Sequence, residues 1–228
     1  WGKKKIAYYV CVSSELKEWI LNTGLSTEKV RLIGNTINLT KFSNNKNIDL
    51  RKIYNLDKDT ILGIYVGRIA YQKGFDLLID ILAKSKSRSK CKIFIVGLAE
   101  SEKYFEECKE QISRLGIDDK FIYLNDRDDV NIVLNSIDFA VVPSRSESGP
   151  LVLIEYMASS VPFVAFNVGE ISKIAVENGV LGIVKNNDME TFINEFDKLC
   201  SLSRSKREAR GSKGHEIASK IFNPPSLL

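Results

Sequence analysis

Residues 61–82 read ILGIYVGRIAYQKGFDLLIDIL. The first six are apolar or small at every position, as in a strand covered on both faces. Gly67 breaks the run. Phe75, Leu78, Ile79 and Leu82 then recur at i, i+3, i+4 and i+7, the spacing of one helix face. Strand, glycine turn and amphipathic helix in so short a span predict one βα unit. Working outward, apolar runs recur at 92–96, 121–124, 139–142, 163–165 and 182–184. Helical stripes lie between and beyond them: Phe105, Cys108, Ile112 and Leu115, and then Phe192, Phe196 and Leu199. Gly116 stops the first of these helices. The alternation predicts an α/β fold, a doubly wound (Rossmann-like) parallel sheet over residues 59–185.

The flanks differ. Two further strands at 6–12 and 29–33 enclose a helical stretch, and such a lone strand–helix–strand piece cannot bury its own faces. Residues 1–35 are therefore expected to be the end of a second domain. The start at Trp1 instead of Met points to a piece of a longer chain. Residues 36–58 are rich in Asn and Lys without sustained period and read as a linker. Residues 186–228 read as a helical tail, strongly basic at 203–213 and stopped at Asn223-Pro224-Pro225.

The 228 residues suffice for a buried core without disulfide or metal staples. Hydrophobic residues make up 44% and charged residues 27%, which excludes disorder, and the net charge is +4. The four cysteines form no C-x-x-C pair, and His215 is the single histidine, so no zinc site is expected. Scattered thiols fit a reducing, cytoplasmic compartment. Residues 1–30 show no secretory pattern, and the apolar stretch 151–166 is interrupted by Glu155, Ser159, Ser160 and Pro162, so no membrane span is expected. Basic runs at 84–90 and 203–213 lack interleaved aromatics, which argues against nucleic acid as a partner. The second run admits peripheral contact with an anionic membrane at its inner face.

Two segments carry chemistry. In Gly67-Arg68-Ile69-Ala70-Tyr71-Gln72-Lys73-Gly74, a glycine admits a ligand to the backbone and two cations share one βα loop ahead of a helix N-terminus. That pattern suits a diphosphate; solvated surface cations are the alternative. In the second segment, 144–155, Glu147 precedes and Glu155 enters the helix that follows the strand 139–142, with Pro150 in the first helical turn. Leu153, Ile154, Met157 and Ala158 form the buried face, leaving Glu155 on another. The carboxylates can accept hydrogen bonds from hydroxyls at separate points of a long ligand, while the N–H groups of Gly149 and Leu151 hold a phosphate oxygen. A capping acid and an exposed helix acid are the plainer readings of the two. A glycosidase pair requires carboxyls roughly 5–9.5 Å apart, and eight mostly helical residues span on the order of 10 Å, which strains that alternative.

Together, Gly67-Arg68 with Lys73-Gly74 and the Glu147/Glu155 pair resemble the donor half of GT-B glycosyltransferases. The similarity is to the large retaining family that uses nucleotide sugars, family four in the usual classification. The stretches VGRIAYQKGFDLLI, DFAVVPSRSESGPLVLIEYMASSVPFVAFNVGEI and ENGVLGIV carry it. The resemblance implies that the chain is one half of a GT-B fold, binding a UDP- or GDP-hexose for bacterial surface polysaccharide or glycan synthesis. It implies donor-binding roles for Gly67, Arg68, Lys73, Glu147, Ser148, Gly149, Pro150, Leu151 and Glu155. Of these, Arg68 and Lys73 stabilise the departing diphosphate, Glu147 contacts the sugar hydroxyls and Glu155 the ribose. The base lies against the loop after Leu124, around 125–127. No cofactor or metal is implied.

The sequence departs from the family pattern at three places. Gly169-Glu170 stands for a Gly-Gly pair, Lys173 for an acid, and Asn35-Thr36-Ile37-Asn38 for Asn-Gly-x-Asp. Glu170 is expected either to place negative charge by the phosphates or to point away. The acceptor domain, with its histidine beside the donor sugar, is expected to lie outside this chain, and His215 to be structural. A sugar or lipid-linked acceptor is then presented by that absent domain. A non-catalytic donor-binding subunit or remnant needing a partner chain is the alternative.

Overall fold

The computed structural model describes residues 6–42 and 48–223. The chain opens with β1 (Tyr9–Cys11), α1 (Ser14–Asn22) and β2 (Val30–Leu32). Ser13 caps α1 by accepting a hydrogen bond from the Leu16 N–H. β1 and β2 pair in parallel as a sheet of their own. Tyr8, Val10, Leu32 and Ile33 on this piece are exposed apolar side chains.

The segment expected as a linker forms two short helices, α2 (Leu39–Phe42) and α3 (Leu50–Ile53). Phe42 and Leu50 are buried in the same core cluster as the main sheet. Arg51 binds the Thr60 carbonyl and reaches Asp138 at 2.5 Å, which ties α3 to the edge of the α/β unit. Four-residue helices leave no room for a period, which is why the pattern does not reveal them. Residues 43–47 of this segment lie outside the described residues, as do Pro224 and Pro225 of the expected tail stop.

The α/β unit follows in order. It consists of β3 (Ile61–Val66), α4 (Phe75–Lys84), β4 (Cys91–Val96), α5 (Glu102–Arg114), β5 (Phe121–Asn125), α6 (Val130–Leu134), β6 (Phe139–Val142), α7 (Leu151–Ala158), β7 (Phe163–Phe166), α8 (Glu170–Glu177) and β8 (Ile183–Val184). All six strands are parallel, in the order β5-β4-β3-β6-β7-β8. This is the doubly wound arrangement that the alternation predicts, reversing direction between β3 and β6. α9 (Met189–Ser201) and α10 (Arg204–Ile217) complete the chain, with a wider turn at Ala218–Phe222.

Strand alternation sorts the core into two layers. Leu62, Ile64 and Phe94 point to one side and pack with Tyr156, Met157 and Phe163. Tyr65, Ile93 and Ile95 point to the other and meet Phe75, Phe121, Phe192 and Phe196. Gly63 has no side chain because a Cβ there would lie 2.6 Å from both Ile93 and Phe139.

α10 is less of a solvated basic helix than its composition implies. Arg207 is buried and pairs with Asp138, and Arg210 pairs with Glu195 at 2.9 Å. Arg204, Lys206 and Lys213 remain on the exposed face. His215 Nδ1 lies 2.7 Å from the Ala158 carbonyl, so the histidine joins α10 to the end of α7. The Ile37 N–H donates to the Phe222 carbonyl, bringing the turn after α10 back to the segment before α2.

Candidate functional site

In an open parallel sheet, ligands bind beyond the carboxyl ends of the strands, where the order reverses. A cavity of about 570 Å³ opens at that edge. It is lined by Gly67 and Arg68 after β3, residues 97–100 after β4, residues 126–128 after β5, and Glu155 of α7. Lys41 and Phe42 of α2 and Asn131 of α6 close its side.

The floor is fixed by backbone contacts. Gly67 N–H donates to the Val96 carbonyl, and Ile69 N–H to that of Leu98, each at 2.9 Å. Gly97 has φ 138°, and a Cβ there would lie 2.1 Å from the Gly67 carbonyl oxygen. The two loops therefore touch at backbone distance, which only glycine allows. The buried Tyr65 hydroxyl donates to the Arg68 carbonyl at 2.7 Å and holds the next turn in place. From there the Arg68 guanidinium forms an ion pair with Glu100.

Glu155 enters the cavity from α7. The neighbouring Tyr156 is fully buried, and its hydroxyl oxygen accepts a hydrogen bond from the Val66 N–H at 3.2 Å. That bond pins α7 against the end of β3, so Glu155 faces Gly67. Burial pushes the Glu155 carboxyl above the usual range, while the charge of Lys41 opposes the shift.

Lys73 and Glu147 form a second group. Lys73 Nζ donates to both carboxylate oxygens of Glu147, at 2.7 and 2.9 Å, and the Glu147 side chain is only 8% exposed. Neither residue lines the cavity. The expectation of Arg68 and Lys73 side by side thus resolves into two positions: Arg68 in the cavity with Glu155, and Lys73 bonded to Glu147 beside it. Gly74 makes this possible. Its φ is 68°, and a Cβ would meet the Pro143 carbonyl oxygen at 2.0 Å, so loop 67–74 lies directly against loop 143–150.

These two loops are joined further by side chains. Arg145 binds both oxygens of Asp76 at 2.7 and 2.6 Å, and its guanidinium stacks 3.8 Å from the centre of the Tyr71 ring. Arg145 N–H donates to the Gln72 carbonyl at 2.9 Å, and Gln72 Nε2 to the Ser146 carbonyl at 3.1 Å. Tyr104 adds a third bond to Asp76 at 2.7 Å. Burial pushes the Asp76 carboxyl up, but the Arg145 and Tyr104 hydrogen bonds outweigh it and hold the group below the usual carboxylate range.

In the remaining stretch, Pro150 precedes the first helical residue instead of lying in the first turn; it caps α7. Leu151 is exposed, and no acceptor among the described residues meets the N–H of Gly149 or Leu151. The Ser148 carbonyl accepts from the Glu170 N–H at 3.0 Å. Asn35 packs on Gly149, where an added Cβ would lie 2.8 Å from its amide nitrogen. The Glu170 carboxylate points to α1, accepting a hydrogen bond from the Ser14 hydroxyl at 2.8 Å, and Lys173 lies 4.0 Å from Glu15. The departures at Glu170 and Lys173 thus contact the N-terminal piece.

Lys41, Glu100, Asp128 and Asn131 line the cavity and escape sequence reasoning. A signal for Glu100 existed: Gly97 follows an apolar strand as Gly67 does, marking a second close-approach loop. Lys41 lies in a stretch without period and carried no signal. Among the described residues no cluster of three metal-ligating side chains occurs, and no helix is long and apolar enough to cross a membrane.

The family described as "Glycosyl transferases group 1" matches residues 46–216. An uncharacterized glycosyltransferase of Methanocaldococcus jannaschii is 31% identical over 188 residues, covering 78% of this chain and 47% of its own. The capsular polysaccharide biosynthesis glycosyltransferase CapM of Staphylococcus aureus is 28% identical, covering 94% of this chain and 57% of its own. Among solved structures, Anabaena HepE in complex with UDP-glucose superposes with a TM-score of 0.83 at 22% identity, over 95% of this chain and 60% of its own. The chain spans about half the length of the curated relatives it matches.

Proposed function

The chain belongs to the glycosyl transferases group 1, and from that premise we propose that its α/β unit binds a nucleoside-diphosphate hexose, of the UDP or GDP type, for glycosyl transfer with retention. The observation that carries the reading is the cavity at the sheet's switch point, which joins Arg68, a glycine floor and the half-buried Glu155. Glu155 accepts hydrogen bonds from the ribose hydroxyls, and the base rests on the loop at 125–127. The diphosphate lies over Gly67 toward the N–H groups of Gly149 and Leu151. The sugar meets Glu147, whose carboxylate Lys73 holds in place.

The chemistry asked of these residues is electrostatic. As the bond between the anomeric carbon and the phosphate oxygen breaks, negative charge builds on the diphosphate. Arg68 and Lys73 are the cations close to that charge and act most strongly in the transition state. Arg supplies a planar fork and Lys a point charge.

The acceptor, a sugar or a lipid-linked sugar, is presented by a second unit in polysaccharide or glycan synthesis. The apolar side chains of Val10 on β1, Leu32 on β2 and the adjoining Ile33 support that division, because they lie exposed. On this reading the 228-residue chain binds donor but transfers little or no sugar alone. A donor-binding subunit served by a separate chain predicts the same binding and differs in recovering turnover when that partner is added. Peripheral attachment to an anionic membrane through Arg204, Lys206 and Lys213 belongs to the same proposal; equal binding to neutral and anionic vesicles contradicts it.

A thermal-shift panel of nucleotide sugars tests the donor assignment. A ligand present at 100 times its dissociation constant adds about 2.7 kcal/mol if it binds only the folded state. A UDP- or GDP-hexose is expected to raise the melting temperature above that of the free hexose. No shift with any member of the panel contradicts the proposal.

A further inference from the structure

Two of the three cations that line the cavity among the described residues, Arg68 and Arg127, are held in ion pairs. Arg127 is held by both oxygens of Asp129, at 2.6 and 2.7 Å. The Lys41 charge acts on Glu155. Arg68 is bound to Glu100, which stands on the adjacent loop after β4. With the two aspartates of the 126–128 loop, carboxylates outnumber the lining cations. A diphosphate that reaches Arg68 must therefore displace a carboxylate already bound to it.

Arg68 is the group best placed for release. Its pair with Glu100 is half exposed, 53% and 48%, so solvent readily replaces the contact. The backbones on both sides are fixed: Tyr65 holds the Arg68 carbonyl, and the Glu100 N–H donates to the Ile69 carbonyl at 3.1 Å. Only the side chains move when the partner changes.

We propose that Glu100 is an affinity-setting residue of this cavity: its carboxylate and a diphosphate contend for the same Arg68 guanidinium. The inference rests on the donor reading above and adds a residue that weakens binding. It has a consequence that no attractive contact shares, since neutralising Glu100 improves affinity for a charged nucleotide and leaves an uncharged nucleoside unaffected. A competitor of this kind also favours product release, because the same carboxylate recaptures Arg68 as the nucleoside diphosphate departs.

The test is calorimetric titration of UDP, GDP, uridine and guanosine into the 228-residue chain and its Glu100→Gln and Glu100→Ala variants. Both variants are expected to bind whichever diphosphate the wild type accepts about two- to fivefold more tightly, the size of an exposed ion pair. The matching nucleoside is expected to bind unchanged. The gain shrinks as salt is added, and it vanishes in an Arg68→Ala background. Unchanged or weaker diphosphate binding in both variants, or an equal gain for the nucleoside, overturns the proposal while the donor reading stands. If the wild type binds none of the four compounds, the donor reading itself fails and takes this inference with it.

Discussion

Lys73 and Glu147, 74 positions apart in the chain, meet with the ammonium between both carboxylate oxygens at 2.7 and 2.9 Å. Each side chain leaves its own loop to reach the other. Lys73→Ala strands an almost buried carboxylate, which costs about 1–3 kcal/mol. Removing both charges with Lys73→Met and Glu147→Gln is expected to cost less than the sum of the single changes. Urea denaturation of the four proteins reads this coupling, and strict additivity contradicts it.

Arg145 and Asp76 fasten the same two loops from behind. Arg145→Ala is expected to lower stability by about 1–3 kcal/mol and to weaken nucleotide binding as the loops separate. Arg145→Lys should not restore it, because an ammonium cannot bind both Asp76 oxygens and stack on Tyr71. The folded Asp76 carboxyl titrates below its ordinary 3.8. Its contribution is therefore complete above that value and is lost as pH falls through the lower folded one. The gap between wild type and Asp76→Asn should be full and constant above about pH 4 and should close as pH falls through the lower folded value; a gap that persists unchanged under acid contradicts the linkage.

Glu155 shifts the other way. Its folded carboxyl titrates above the ordinary 4.5 because burial disfavours the charge. The stability it contributes is full below 4.5 and is lost as pH rises through the folded value. Ribose hydroxyls bond more strongly to the ionised form, which accepts at both oxygens, so uridine affinity is expected to fall as pH drops through the raised value. Uridine carries no phosphate to titrate in that window. Glu155→Gln should bind uridine more weakly at neutral pH and without this pH dependence.

Gly97 sits where the loops after β3 and β4 cross. A Cβ there lies 2.1 Å from the Gly67 carbonyl oxygen, and the φ of 138° is itself costly for alanine. Gly97→Ala is expected to destabilise the fold by more than about 1 kcal/mol and to distort the cavity floor. Gly34→Ala is the control, since nothing lies within 4 Å of its added Cβ. Equal urea midpoints for the two variants contradict the close approach.

The parallel sheet was legible because its strands are apolar on both faces and its helices long enough to show a period. Phe75, Leu78, Ile79 and Leu82 declare α4 by spacing alone, and all four are fully buried. The candidate site was legible in part. Gly67, Arg68 and Glu155 follow from position relative to strand ends, the one feature that local sequence fixes. The pairing of Lys73 with Glu147 was not legible, because it depends on how closely two loops 74 residues apart approach, and Gly74 reveals that only through its neighbour Pro143. Phe42 and Leu50 were missed for the opposite reason: single apolar residues in a polar stretch carry no period. The basic run at 203–213 misled in degree, since Arg207 and Arg210 are paired with the half-buried acids Asp138 and Glu195.

Calorimetric titration of UDP and GDP into the wild-type chain and into Arg68→Ala tests the central claim most directly. One of the two nucleotides is expected to bind the wild type with 1:1 stoichiometry, and to bind Arg68→Ala at least several-fold more weakly at low salt. Binding of equal strength to both proteins would contradict the assignment of this cavity to the donor diphosphate.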